Sequence, residues 1–130
     1  MAEHPNAAII RDGFDMFNRA DVEGLSNLIA ADAVQRMPGD NAVSGEHKGR
    51  DNILAMYGQL GERSGGTFSA VVEQVYANDD RVVVIYRGTA ERGSAKLDEL
   101  HALVFEMQGG KITGLDDITA DPSAFNAFFS

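Results

Sequence analysis

The sequence predicts an α+β domain in which helices come first and an antiparallel meander follows. Three observations carry that expectation. Apolar residues recur at helical spacing up to about residue 65. Beyond it, the stretches 67–77, 81–91, 97–107 and 111–119 are rich in Val, Ile, Phe, Tyr and Thr. The connections between those stretches, Asn78-Asp79-Asp80, Arg92-Gly93-Ser94 and Gln108-Gly109-Gly110, are short and turn-forming, as hairpins require. With 130 residues, 44% hydrophobic and 24% charged, the chain has the size and composition of one globular domain.

The first helix is expected over residues 6–20. Ile9, Ile10, Phe14 and Phe17 make its apolar stripe, Pro5 suits its opening turn, and Gly13 costs about 1 kcal/mol unless close packing or a ligand uses the space. Asp21 reads as the N-cap of a shorter helix with Val22, Leu25, Leu28 and Ile29 on its apolar face. Residues 33–37 read as a short strand that stops at Pro38-Gly39 and enters a loop running to Lys48. A third helix starts at Gly49-Arg50, carries Ile53, Met56, Tyr57 and Leu60 on one stripe, and ends before Gly65-Gly66. Of the strands, Val82-Val83-Val84-Ile85-Tyr86 is apolar on both faces, which marks a central position. Pro122 stops the last strand, and Phe125, Phe128 and Phe129 form a tail expected to dock on the body.

A formal net charge of −9 disfavours phosphate-rich partners, so no nucleic acid is expected. No apolar stretch is long enough to span a bilayer, and residues 1–5 lack a basic segment followed by an apolar one. A cytoplasmic protein without membrane contact is expected. There is no cysteine, and His4, His47 and His101 are widely separated with no HxH or HExxH spacing, so no metal site is expected; with no dinucleotide fingerprint either, no cofactor is expected.

The last strand ends in two adjacent carboxylates, Asp116 and Asp117. Strand side chains alternate, so only one of the pair can face an interior, and an acid held there is costly unless something uses or solvates it. From the residues alone either one qualifies.

The sequence Ala30-Ala31-Asp32-Ala33-Val34, then Pro38-Gly39, Ser44-Gly45 and Lys48-Gly49-Arg50-Asp51-Asn52-Ile53, with hairpins ending in Gly110-Lys111-Ile112, resembles SnoaL-like proteins of the nuclear transport factor 2-like superfamily. The resemblance covers nearly the whole chain. It implies a curved, cystatin-like antiparallel sheet wrapped around three N-terminal helices as a cone, with an apolar pocket at the open end and dimers common. Members include polyketide cyclases, ketosteroid isomerases and epoxide hydrolases, besides proteins that only bind or assemble.

Against the isomerases, Met37 stands before Pro38 where they carry a general-base aspartate, and Gly13 falls near their oxyanion tyrosine. Against the cyclases, the acid/base aspartate maps onto Asp117. Residues Thr113, Leu115, Asp117 and Thr119 would then face the pocket and Asp116 the outside. Their strand histidine maps onto Leu103, while the histidine of this chain is His101, two residues earlier on the same strand face. The resemblance thus implies Asp117 and His101 as acid/base groups. Phe17, Met37, Tyr57, Phe105 and Leu115 are candidate pocket wall, and an apolar small molecule is the expected ligand. The outward sheet face, rich in Val, Ile and Tyr, is expected to be covered by a second copy in a homodimer. The competing expectation is a non-catalytic binding or assembly module.

Overall fold

The structure is a computed structural model that describes residues 3–130; Met1 and Ala2, part of the N-terminal segment considered above, lie outside the described residues. Helix α1 (Pro5–Asn18) starts where His4 Nδ1 accepts a hydrogen bond from the Asn6 amide at 3.1 Å, with Pro5 in the first turn. Helix α2 (Val22–Leu28) is capped by Asp21, whose carboxylate accepts from the Gly24 amide at 2.9 Å. Strand β1 (Ile29–Met37) follows directly, then β2 (Gly45–Lys48) and helix α3 (Arg50–Arg63). Three long hairpin-linked strands and a fourth complete the sheet: β3 (Ser69–Ala77), β4 (Arg81–Arg92), β5 (Ala95–Gln108) and β6 (Lys111–Thr119). Helix α4 (Pro122–Phe128), capped by Asp121, closes the chain.

The sheet has six strands in the order β2-β1-β6-β5-β4-β3 and does not close on itself. All neighbours are antiparallel except β1 and β6, which run parallel, a departure from the wholly antiparallel sheet expected. Register breaks at Ile29/Val34, Val72/Gln74 and Glu106/Met107 each add local twist, which bends the sheet around its concave face. The helices cover that face. Ile10 and Phe14 of α1 pack with Val82, Val84, Leu103, Phe105 and Leu115, while Phe125, Phe128 and Phe129 form a second cluster with Met56, Leu60 and Leu97.

Four further expectations need correction. Val22 is 59% exposed, because α2 buries Leu25 and its first turn faces solvent. Part of the loop expected through Lys48 pairs as β2 with β1. The terminal phenylalanines dock as expected, but as a helix. Neither Thr113 nor Thr119 lines the pocket: Glu106 pairs with Gly114 and Met107 with Ile112, so the bulge displaces Thr113 and turns Ile112 inward, while Thr119 pairs with His101 beyond the cavity.

Candidate functional site

Between α1, α3 and the concave face lies a cavity of about 60 Å³, several times the ~10–15 Å³ that holds one water. Its wall is apolar over most of its extent, with Ile10, Phe14, Leu25, Leu103 and Ile112 among the lining residues. Gly13 also lines it, and a Cβ there would meet Leu28 Cδ2 at 3.0 Å, so the glycine permits close approach of α1 and α2. All five pocket-wall candidates, Phe17, Met37, Tyr57, Phe105 and Leu115, line this one cavity, and Phe17 packs edge-on against Tyr57 with ring centres 5.3 Å apart. A larger groove of about 300 Å³ over β2 and α3, lined by Val43, His47 and Gln59 among others, is open to solvent.

Four polar side chains interrupt the apolar wall: Gln35, Tyr57, Tyr86 and Asp117. Alternation along β6 turns Asp117 inward and Asp116 outward, where Asp116 meets Arg36 at 3.4 Å. Asp117 is 7% exposed and takes two short hydrogen bonds: Tyr86 Oη donates to Oδ2 at 2.6 Å, and His101 Nδ1 lies 2.7 Å from Oδ1. On the far side of the imidazole, Nε2 lies 2.6 Å from Glu99 Oε1. This contact is short but bent away from hydrogen-bond geometry, which leaves Nε2 and both Glu99 oxygens without a hydrogen-bond partner. Tyr86 stacks on the His101 ring at 4.8 Å and 14°, and Phe125 meets the ring edge-on at 5.3 Å.

The structure therefore brings Asp117 and His101 together but gives them different positions. Asp117 borders the cavity. His101 lies behind it, 1% exposed and absent from the cavity wall, so it touches Asp117 and Glu99 rather than any ligand. Register explains this: His101 pairs with Thr119, and Leu103 occupies the place opposite Asp117. A histidine at 103 would border the cavity; one at 101 supports the carboxylate from behind.

On the opposite wall, Tyr57 Oη donates to Gln35 Oε1 at 2.5 Å, and Gln35 Nε2 lies 3.3 Å from Met37 Sδ. Thioether sulfur is a weak acceptor and an amide nitrogen has two hydrogens, so Gln35 retains donor capacity toward the cavity. Burial, and then the charge of Asp117, push both the Tyr57 and Tyr86 hydroxyls above the ordinary phenol value, so both stay protonated as donors. Burial alone would lower His101. The hydrogen bond and charge of Asp117, joined by Glu99, outweigh it and hold the imidazole above its ordinary 6.5. Burial raises Glu99, an effect opposed by Thr119 and His101.

Sequence patterning left Gln35, Tyr86 and Glu99 unmarked as site residues. Two of them had a usable signal in strand alternation: Gln35 shares a face with Met37, and Glu99 with His101. Tyr86 sits opposite His101 across the β4–β5 ladder, which only the register discloses.

The chain is thus an α+β protein whose curved, unclosed sheet and N-terminal helices enclose an apolar cavity with a small polar cluster on its wall. Residues 10–115 match the SnoaL-like domain model, and the chain belongs to that family. An uncharacterized protein of Mycobacterium tuberculosis is 33% identical over 131 residues, an alignment spanning 100% of both chains. Among solved structures, Bal32a from a soil-derived mobile gene cassette is 38% identical with a TM-score of 0.92, covering 96% of each chain. A protein of unknown function with cystatin-like fold from Xanthomonas campestris, 23% identical, superposes with a TM-score of 0.91 over 98% of this chain and 99% of the other. IdmH, a proposed polyketide cyclase from Streptomyces antibioticus, is 19% identical with a TM-score of 0.76, covering 90% and 93%. No helix among the described residues is long and apolar enough to cross a membrane.

Proposed function

We propose that the chain is a cofactor-independent acid–base catalyst of the isomerase, cyclase or hydrolase type acting on an apolar, cyclic, carbonyl-containing small molecule. The carrying observation is the Asp117 carboxylate, the one charged group on a largely apolar cavity wall, held by Tyr86 and His101. Two short charge-assisted bonds orient it, and its remaining lone pairs are available to take a proton from a carbon next to a carbonyl. Gln35 Nε2 is the matching donor for the oxygen on which charge develops. The polyketide cyclase reading of IdmH, a fold neighbour, agrees with this substrate class.

A second reading, a binding or assembly module without turnover, is favoured by Met37 before Pro38, which leaves no carboxylate at the position where ketosteroid isomerases carry theirs. One experiment separates the two. The protein is incubated with 2-tetralone, an apolar bicyclic ketone, in D2O, and exchange at the carbons beside the carbonyl is followed by proton NMR. The catalytic reading expects exchange above the buffer rate and a loss of about 100-fold or more in Asp117→Asn. Saturable binding of the ketone with exchange at the buffer rate supports the binding module instead.

We also propose that a second copy covers the outer sheet face. Val71, Tyr76 and Ile118 are 55%, 60% and 59% exposed there, beside outward-pointing Val83 and Ile85. Such a cluster of exposed apolar side chains on one face is typical of an interface.

A further inference from the structure

We infer that Glu99 is a positioning residue that locks His101 as a doubly protonated imidazolium between two buried carboxylates, so that Asp117 always receives an N–H and faces the cavity as an acceptor only. The inference deepens the acid–base reading of Asp117, but it is tested without turnover.

The argument is a count of protons. Imidazole nitrogens donate when they carry hydrogen and accept when they do not, and a neutral ring has one hydrogen for two nitrogens. Here each nitrogen faces an acid oxygen, Nδ1 with Asp117 Oδ1 at 2.7 Å and Nε2 with Glu99 Oε1 at 2.6 Å. A neutral ring between two ionised carboxylates would set one nitrogen lone pair against a carboxylate at that separation, in a region where the His101 side chain has no exposure and those of Glu99 and Asp117 only 3% and 2%. Low local dielectric makes such a repulsion large. One added proton removes that repulsion, and the proton rests on the imidazole, ordinarily 6.5, rather than on Glu99, ordinarily 4.5, so that the bent Glu99 contact supplies charge attraction across 2.6 Å.

The groups around Glu99 agree. On its own strand it faces His101; from β6 comes Thr119, from β4 Tyr86, and before α4 Asp121. Among them His101 is the only one able to carry positive charge. Thr119 is the other donor beside Glu99, at a geometry short of a full hydrogen bond, and a buried carboxylate so weakly matched is costly unless that charge offsets it. Phe125 packs at right angles to the imidazole at 5.3 Å, so the histidine sits among aromatic rings and away from bulk solvent.

The test is nitrogen-15 NMR of histidine-labelled protein carrying His4→Gln and His47→Gln, so that His101 alone reports. At pH 7.5 both ring nitrogens are expected at imidazolium shifts, and Glu99→Gln is expected to lower the His101 titration midpoint by at least one pH unit, a tenfold loss of proton affinity. A neutral single tautomer in the otherwise native protein at pH 7.5 overturns the proposal, and that measurement needs no Glu99 variant to fold. An unchanged midpoint in Glu99→Gln overturns it as well. Absence of ketone exchange would remove the catalytic reading and leave the nitrogen-15 result standing.

Discussion

Replacing Tyr86 by Phe removes one oxygen atom and leaves the ring in place. Tyr86 is 5% exposed, and its hydroxyl donates to Asp117 Oδ2 at 2.6 Å, so the variant leaves a buried carboxylate oxygen without its partner. A hydrogen bond to a charged group is worth about 1.5–3 kcal/mol. At ~2.1 cal/mol/K per residue, the unfolding entropy for this length is about 270 cal/mol/K, so the loss corresponds to a fall in Tm of about 5–11 °C. Tyr57→Phe is the internal control, since its hydroxyl donates to the neutral oxygen of Gln35. A neutral bond is worth about 0.5–1.5 kcal/mol, or about 2–5 °C here. Differential scanning calorimetry of both variants at pH 7.5 checks the order. A Tyr86→Phe shift no larger than that of Tyr57→Phe would refute the claim that the Tyr86–Asp117 bond is the stronger of the two and central to the cluster.

Phe125→Ala removes a side chain that is 1% exposed and packed on His101 and Phe129, with an expected loss of about 3–5 kcal/mol in urea unfolding. The pH dependence of stability follows from the raised His101. The folded protein binds its proton more tightly than the unfolded chain, so this stabilisation is complete below about 6.5 and lost as pH rises through the higher folded value. Urea unfolding of the native protein between pH 6 and 9 should show the decline, which His101→Gln should flatten. Sedimentation at micromolar concentration should give twice the 14.0 kDa of one chain, with Ile118→Lys shifting the protein to monomer; a wild-type monomer would contradict the covered outer face.

Local chemistry made much of this fold legible. Asp21 as a cap, the Gly65-Gly66 stop and the hairpin turns each act over a few residues, and each has an element boundary beside it. Strand β2, Gly-Glu-His-Lys, has no apolar alternation of its own and exists because β1 offers it a partner. Helix α4 carried a readable signature in Asp121, Pro122 and phenylalanines at helical spacing, which the stop signal of Pro122 obscured. The parallel β1–β6 pairing has no local signature. In the site, the Asp117 placement came through family resemblance and the inward face of β6. The bulge at Thr113 and the Glu99–His101–Asp117–Tyr86 order depend on inter-strand register, which no single stretch encodes.

The parallel pairing of β1 with β6 sets Gln35 beside Leu115 and Arg36 beside Asp116, residues 80 positions apart in the chain. The cavity wall carrying Gln35 and Met37 and the wall carrying Asp117 are joined along that seam. Contacts so distant in sequence form only after the cost of closing a long loop has been met, so the two walls meet in the completed domain and not in either half. A molecule that touches Gln35 and Asp117 together therefore recognises the finished fold and no part of the open chain. Held at a hundred times its dissociation constant, it would add about 2.7 kcal/mol to unfolding. The melting temperature thus becomes a reporter for the natural ligand whatever reaction that ligand undergoes, and a compound library can be sorted by heat alone.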